Sequence, residues 1–298
     1  MLQKILLQAL REHWATGHFN ASELDQMRAI VEACRDARTP AIIGTSEGER
    51  KHLGLAEAMA LRDVFHKEYG IPIFLNADHT KSVAAAKQAI DAGYDSVHID
   101  LSALPYEENI AGTKEVVEYA RRKSDFPREV RLPYINVEGE LGYLRGESKV
   151  QNEKIMVRPE DYTDPAQAGD FAQRTGVDRL AIAVGNIHGI SLDEPALDIE
   201  RIRAIRAAVP ESVALVLHAA SGIPDEQIRA AIAAGIANIH INTDIRVAYV
   251  EGLKNAIAAH PDETAMYKLD VGAIAAMKEV VKEKLTLFGA IGRMGASR

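Results

Sequence analysis

Three histidines of the 298-residue chain stand at the ends of apolar runs. His79 closes a run that begins at Phe74, His188 closes one that begins at Leu180, and His218 follows a run of leucine and valine. Short apolar runs of this kind predict buried strands. Three imidazoles at equivalent strand ends would supply the three nitrogen ligands of a catalytic Zn²⁺ site with an open fourth position. The alternative is three unrelated polar residues, but their shared context favours the metal site.

The strands that must position these histidines alternate with alanine-rich helical stretches. The predicted strands are residues 17–20, 40–46, 72–79, 96–100, 133–140, 179–188, 213–218 and 238–244. Predicted helices include residues 82–92, 108–123, 165–175, 199–208, 224–234 and 277–288. This order predicts an α/β protein, a single (β/α)8 TIM barrel with an extra N-terminal helix and C-terminal helices. A doubly wound open sheet competes, but it does not bring the third, sixth and seventh strands to one centre.

Composition limits the classes of function. No linker of domain size interrupts the chain, so we expect one domain over residues 1–298. The net charge is −8 without a block of like charges, which predicts no nucleic-acid partner. No apolar run approaches the ~18 residues of a membrane span, and the N-terminal segment has the pattern of an amphipathic helix. We therefore expect a cytoplasmic protein without a membrane partner.

Polar residues at the predicted strand ends would share the active face of a barrel. The residues expected to ring one pocket are Asn20, Ser46, Asp78, His79, Glu140, His188, His218, Ser221, Asn242 and Thr243. Asp78 adjoins a candidate ligand, so it is a candidate ligand, ligand partner or general base. Glu138 and Glu140 are two residues apart and therefore lie on the same face of the predicted strand. One of these carboxylates could point inward near the metal, or they could form ion pairs with Arg131 or Arg145.

Two loops could complete such a pocket. The small residues from Ala219 to Gly222 precede a helix start with proline in its first turn, where a phosphate can approach backbone N–H groups. A tight turn without a ligand is the alternative there. Residues 145–162, which follow the fifth predicted strand, are longer than an ordinary loop. Residues 122–132, which precede that strand, are also longer than an ordinary loop. The first of these long segments is either a lid or a peripheral excursion.

The motifs in order and spacing resemble those of class II, metal-dependent fructose-bisphosphate aldolases, in the branch that includes tagatose-bisphosphate aldolases. The matching motifs are Gly17-His18-Phe19-Asn20, Thr45-Ser46-Glu47-Gly48, Ala77-Asp78-His79, Ser96-Val97-His98-Ile99-Asp100, Val137-Glu138-Gly139-Glu140-Leu141-Gly142, Ile187-His188-Gly189, His218-Ala219-Ala220-Ser221-Gly222 and Asn242-Thr243-Asp244. The resemblance implies a homo-oligomeric barrel, dimer or tetramer, that reversibly cleaves a ketose bisphosphate to dihydroxyacetone phosphate and an aldehyde phosphate.

The same resemblance implies roles for individual residues. It makes His79, His188 and His218 the ligands of one Zn²⁺ per subunit. Asp78 becomes the acid/base at the C4 hydroxyl of the substrate, and Glu140 a carboxylate that approaches the metal when substrate is absent. Positions that match substrate or phosphate contacts are Asn20, Ser46, Gly189, Ala219, Ser221, Asn242, Thr243 and Arg246. Backbone carbonyls around His188 are expected to hold a monovalent cation, Na⁺ or K⁺.

The chain departs from the family pattern at several of these positions. Alanines replace two glycines after His218, Thr80 replaces a glycine, and His240 stands where an asparagine is usual. The carboxylate that protonates the carbanion aligns with Ser148, so Glu147, one residue earlier, is our candidate for that step.

The sequence is compatible with three functions. Fructose 1,6-bisphosphate cleavage leads, an aldolase for tagatose 1,6-bisphosphate or another phosphorylated ketose follows, and a non-catalytic metal- and phosphate-binding barrel is the alternative of another class.

Overall fold

The computed structural model describes residues 1–124, 134–191 and 196–294. In these residues, eight strands form the barrel: β1 Thr16–Asn20, β2 Ala41–Thr45, β3 Ile73–Thr80, β4 Ser96–Ile99, β5 Asn136–Leu141, β7 Arg179–Ile182, β9 Ala214–Leu217 and β10 Ile236–Ile241. They close in the order β1-β10-β9-β7-β5-β4-β3-β2, and every pair is parallel. The predicted TIM barrel is confirmed.

Helices surround this barrel. The described helices are α1 Leu2–Glu12, α2 Leu24–Asp36, α3 Glu47–Leu53, α4 Leu55–Tyr69, α5 Val83–Ala92, α6 Tyr106–Ser124, α7 Pro165–Thr175, α8 Ile199–Ala208, α9 Asp225–Ala234, α10 Thr243–Ala259 and α11 Met266–Leu287. Local signals set their ends, as α7 illustrates. The Asp164 side chain accepts a hydrogen bond from the Gln167 amide, Pro165 occupies the first turn, and Gly176 ends the helix at φ 71°. No described helix is both long and apolar enough to cross a bilayer.

The N-terminal helix α1 packs on the barrel. Its residues Leu2, Ile5 and Leu6 are buried, and α1 contacts β1, β9 and β10. The Gln3 side chain donates a hydrogen bond to the Ser212 carbonyl at 2.7 Å and accepts one from Asn136 Nδ2 at 2.6 Å. These contacts place α1 against β5 and the loop before β9, at the face opposite the strand ends that carry the site.

The sixth predicted strand, residues 179–188, is wrong in its second half. The strand stops at Ile182, because the chain turns at Gly185, whose φ is 108°, and Asn186 Oδ1 accepts a hydrogen bond from the Val184 amide at 2.8 Å. His188 then begins a separate strand, β8 His188–Ile190. This strand pairs with β6 Gly146–Val150, a strand that the sequence did not predict.

The eighth predicted strand and the last predicted helix also differ from the structure in their bounds. The eighth strand ends at Ile241, because Thr243 already begins α10 and leaves Asn242 at the helix cap. The last helix begins at Met266 rather than residue 277. Its first turns contain Gly272, a weak helix former, and α11 packs closely on α10, where a Cβ at Gly252 would lie 2.8 Å from the Ala273 Cα. Most of residues 122–132 lies outside the described residues.

Candidate metal centre and substrate pocket

A cavity of about 540 Å³ opens at the carboxyl ends of the barrel strands. Its described lining comprises Asn20, Ser22, Ser46, Gly48, Glu49, His52, Asp78, His79, Ser148, His188, Gly189, His218, Ala219, Ser221, His240, Asn242, Thr243 and Arg246. The lining includes every sequence-predicted site residue except Glu140 and Glu147. Residues from seven loops and strand ends thus meet in one polar cavity, which is the usual place of the active site in this fold.

Histidine rings gather at the base of this cavity. The ring centroid of His79 lies 4.7 Å from that of His218 and 4.6 Å from that of His98. One ligand atom from each of Asp78, His79, His98 and His218 falls within 4.8 Å of the others. Two of the predicted ligands, His79 and His218, are therefore brought together with the neighbouring carboxylate.

The third predicted ligand, His188, lies at the edge of this group. Its ring centroid is 5.0 Å from that of His79, and the two planes are nearly perpendicular. His188 is absent from the described groups whose ligand atoms lie within 4.8 Å of one another. His188 belongs to β8 rather than to a barrel strand. Its distance from an ion bound by His79 and His218 therefore depends on the position of the β6–β8 pair.

His98 is a candidate ligand that sequence reasoning missed. It is fully buried on β4, and its Nε2 lies 3.0 Å from Glu140 Oε2. The signal was present, because Ser96, His98 and Asp100 alternate along a predicted strand and so share one face. His98 lies within an apolar run rather than at its end. A search for histidines at the ends of predicted strands therefore does not find it.

The donor set fits a divalent metal ion. Three buried atoms in the described cluster, Asp78 Oδ1, His98 Nε2 and Glu140 Oε2, make no well-aligned hydrogen bond, although the last two lie 3.0 Å apart. Buried polar atoms normally have partners, so a group of unpartnered nitrogen and oxygen atoms calls for one. Imidazole and carboxylate are ligands that suit Zn²⁺. The residues present could therefore hold the metal that the sequence predicts.

Carboxylates orient the histidines from behind. Asp100 Oδ2 lies 2.8 Å from His79 Nδ1, and Glu138 Oε1 lies 2.6 Å from His218 Nε2. Carboxylates in this position fix the orientation and tautomer of metal-binding imidazoles. Of the two expected ion pairs, Arg145 instead binds Asp161, and Arg131 lies outside the described residues.

Asp78 sits between the histidines and the open cavity. Its Oδ2 accepts a hydrogen bond from Asn20 Nδ2 at 3.0 Å, and its Oδ1 lies 3.4 Å from His240 Nδ1. Burial opposes ionisation of Asp78, but His79, His240 and His98 outweigh it and hold its pKa well below the usual value. The carboxylate is therefore ionised and can accept a proton from a group in the cavity.

Neighbouring histidines have opposite tendencies to ionise. Burial, aided by His79, lowers the pKa of His188 to about 3, and the same two causes hold the pKa of His218 well below its usual value. Burial also opposes protonation of His79, yet Asp78 and Asp100 raise its pKa overall. The neutral rings of His188 and His218 keep a lone pair for a ligand at neutral pH.

Replacing His240 is expected to change how stability depends on pH. Burial and the nearby His218 lower the pKa of His240 to about 3, so the folded protein keeps this ring neutral while the unfolded chain protonates it near pH 6.5. Its contribution to stability is present above about pH 6.5 and is lost as the pH falls below that value. His240→Asn should reduce the loss of unfolding free energy between pH 7.5 and 5.5 by about 1.4 kcal/mol. Urea denaturation of the metal-free proteins at both pH values measures this difference, and equal losses would contradict it.

Residues suited to an anion lie at the other side of the cavity. Ser221 Oγ accepts a hydrogen bond from the Asp244 amide at 3.2 Å, which places this hydroxyl at the N-terminus of α10 beside Thr243. Gly189 has φ 91°, and a Cβ there would lie 2.1 Å from the Lys149 carbonyl oxygen. In the turn after β9, the residue with a left-handed backbone conformation is Ala219, at φ 57°, and not Ala220. This arrangement of backbone N–H groups and hydroxyls can bind a phosphate.

The predicted lid is a two-stranded extension in the described structure. Residues 145–162 include β6, which pairs with β8. Arg246 Nη1 donates a hydrogen bond to the carbonyl of Ser148 on β6 at 3.1 Å. Ser148 lines the cavity, whereas the Glu147 side chain is 75% exposed and pairs with Lys149 at 2.7 Å. In this arrangement Glu147 lies outside the cavity lining.

Comparison with known proteins places the chain in a family. The family model for fructose-bisphosphate aldolase class II matches residues 1–293. The crystal structure of the YdjI aldolase from Escherichia coli K12 is similar at 32% identity, with a TM-score of 0.82 and 99% of each chain covered. A putative fructose-1,6-bisphosphate aldolase from Coccidioides immitis is similar at 25% identity and a TM-score of 0.81, over 98% of this chain and 96% of that one.

A third structure supports the fold alone. It is a fructose-bisphosphate aldolase from Campylobacter jejuni, 20% identical with a TM-score of 0.79 over 98% of this chain and 95% of that one. Since the family model covers almost the whole sequence, and the cavity joins a histidine cluster to an ionised aspartate, the chain belongs to the class II fructose-bisphosphate aldolase family.

Proposed function

We propose that the protein is a zinc-dependent aldolase that reversibly cleaves fructose 1,6-bisphosphate to dihydroxyacetone phosphate and glyceraldehyde 3-phosphate. The observation that carries this proposal is the meeting of Asp78 with His79, His98 and His218 at the base of one cavity. Family membership supports a metal-dependent lyase acting on a phosphorylated sugar. The same family supports a homo-oligomer, dimer or tetramer, as the working unit.

The histidines would hold the ion, with His79, His188 and His218 as ligands. A Zn²⁺ ion bound there supplies Lewis-acid stabilisation of the negative charge that develops when the C3–C4 bond breaks. Asp78 takes the proton from the C4 hydroxyl as the aldehyde forms, since its carboxylate is ionised and Asn20 fixes one of its oxygens. Glu140, buried beside His98, is the carboxylate that would approach a bound ion in the absence of substrate.

Substrate phosphate would bind at the other side of the cavity. Gly189 and Ala219 offer backbone N–H groups, Ser221 and Thr243 offer hydroxyls, and Arg246 supplies a positive charge. Ser46, at the N-terminus of α3, and Asn242 complete the predicted contacts. Backbone carbonyls around His188 are proposed to hold Na⁺ or K⁺.

An aldolase for tagatose 1,6-bisphosphate or another phosphorylated ketose is the second candidate. His240 lines the cavity where relatives carry asparagine, and its ring stacks on His18 with centroids 3.5 Å apart. His240, held by this stacking, forms part of the wall next to Asp78, so it can alter which hydroxyl configuration fits. A non-catalytic binding barrel is disfavoured because the ionised Asp78 is retained.

The substrate is tested with a coupled assay of dihydroxyacetone phosphate release. Purified protein is supplied with fructose 1,6-bisphosphate, tagatose 1,6-bisphosphate and the corresponding 1-phosphates, each with Zn²⁺. The proposal expects the highest kcat/KM for fructose 1,6-bisphosphate. A higher value for another ketose supports the second candidate, and no turnover of any ketose in the Zn²⁺-loaded protein supports the binding barrel.

Glu147→Gln is expected to slow proton exchange at C3 of dihydroxyacetone phosphate. We propose that β6 moves over the bound substrate and brings Glu147 to the carbanion. This movement would exclude water from the cavity, and Glu147 would donate the proton. The loss of a general acid is expected to slow exchange by about 10²–10⁴-fold with little change in substrate affinity. Exchange of the labelled proton with solvent measures the rate, and Ser148→Ala is the neighbouring control. Unchanged exchange in Glu147→Gln would give the role to another group, with Glu140 tested next.

A further inference from the structure

A charged pair lies inside the barrel beneath the histidine cluster. Glu138 on β5 and Arg179 on β7 are both 0% exposed, and Arg179 Nη1 lies 2.9 Å from Glu138 Oε2. The interior of such a barrel is usually filled by branched apolar side chains. A buried ion pair is often no more stabilising than apolar residues of the same volume, so stability alone does not account for it.

The guanidinium of Arg179 is fixed from three further directions. It donates hydrogen bonds to the side-chain oxygens of Asn136 at 2.7 Å, Asn238 at 2.9 Å and Asn76 at 3.0 Å. These asparagines belong to β5, β10 and β3, on different sides of the barrel. A planar guanidinium bound in this way has one orientation, and it holds its positive charge in a fixed place against Glu138 Oε2.

The second oxygen of Glu138 reaches a candidate metal ligand. Oε1 lies 2.6 Å from His218 Nε2, at the cavity end of the same carboxylate. A neutral imidazole has one N–H group, so a hydrogen bond from Nε2 to the carboxylate leaves Nδ1 as the nitrogen with a free lone pair. One carboxylate therefore joins the fixed guanidinium to the imidazole and selects its tautomer.

We propose that Glu138 and Arg179 are positioning residues for metal binding: Arg179, anchored by three asparagines, orients Glu138, and Glu138 holds His218 in the tautomer and rotation that bind the ion. Neither residue touches substrate. This inference rests on the proposed metal centre, because it assigns the support of one of its ligands. The partners of metal-binding histidines typically change metal affinity by about 10–100-fold when they are replaced.

Metal affinity tests this directly. The metal-free proteins are titrated with Zn²⁺ in competition with a chromophoric chelator, and with Co²⁺ while its visible absorption is recorded. Glu138→Gln should raise the Kd for Zn²⁺ by about 10–100-fold and change the Co²⁺ spectrum. Arg179→Met should have an effect in the same range, because Glu138 loses its anchor. Arg179→Lys should recover part of the affinity, since an ammonium restores the charge without the planar hydrogen bonds.

Arg121→Met is the matched control. Arg121 also pairs with a carboxylate, at 2.9 Å from Asp178, the residue directly before Arg179. Its loss should lower the melting temperature without changing the Kd for Zn²⁺. The inference is overturned if Glu138→Gln and Arg179→Met bind Zn²⁺ within about twofold of the parent protein, whatever their melting temperatures. If Arg179→Met does not fold, Glu138→Gln decides alone. Failure of the parent protein to bind Zn²⁺ would instead overturn the proposed metal centre.

Discussion

Chelation of the purified protein is expected to abolish ketose cleavage, and one equivalent of Zn²⁺ per chain should restore it. Without the ion, the charge that develops on bond cleavage must be stabilised by imidazoles and hydroxyls of a buried cavity, with no Lewis acid. A bound metal contributes several kcal/mol to such charge stabilisation, and each ~1.4 kcal/mol is a factor of ten in rate. We therefore expect cleavage to fall by at least about 10³-fold. Cleavage rate against added chelator and then against added Zn²⁺ measures the effect.

A Schiff-base mechanism makes the opposite prediction. It would survive chelation and would leave a lysine adduct after treatment with borohydride and dihydroxyacetone phosphate. Lys81 is the lysine closest in sequence to the predicted ligands, but its side chain is 59% exposed and pairs with Asp100, outside the cavity lining. Borohydride should therefore leave the protein unlabelled. Full activity in chelator, or a labelled lysine, would refute the metal mechanism.

Asp78→Ala is expected to lower kcat by about 10²–10⁴-fold while zinc content and substrate affinity stay near those of the parent. The Asp78 carboxylate is buried and ionised beside the histidine cluster, and its Oδ1 makes no hydrogen bond within the described structure. Its removal takes away the proton acceptor but leaves the imidazoles. Steady-state kinetics, with zinc measured by elemental analysis, separates the two effects.

The control for this substitution is Asp36→Asn, which removes a carboxylate on α2 that pairs with Arg35 and Lys278 away from the cavity. This variant should keep the parent kcat. Loss of zinc together with the Asp78 carboxylate would show that Asp78 is a metal ligand or the partner of one, and its role as the base would then be wrong.

Much of the architecture could be predicted from local patterns. The barrel strands follow from short apolar runs, and helices such as α7 follow from an N-cap, a first-turn proline and a closing glycine. These signals are local, since each depends on neighbours within a few residues. The same runs place Asp78, His79 and His218 at the active face, because the carboxyl ends of parallel strands in a closed barrel lie on one side.

The arrangement of the site depended on contacts between distant residues. His188 lies on β8 and not at the end of β7, because a turn at Gly185 ends the barrel strand and pairing with Gly146 forms a new one. His98 joins the cluster because β4 closes against β3 and β5. Neither result can be deduced from one segment alone.

Patterns in the amino-acid sequence were enough to predict the barrel, the family and most of the residues that could do the chemistry. Which of these residues meet, and which side chains support them, depended on the folded structure. Arg179 is the clearest case: its sequence position predicts a strand residue, while its role beneath the site comes from Asn76, Asn136 and Asn238 on three other strands. The physical reason is that hydrogen bonds and ion pairs act over a few ångströms in space, between residues that are 43 to 103 positions apart in the chain.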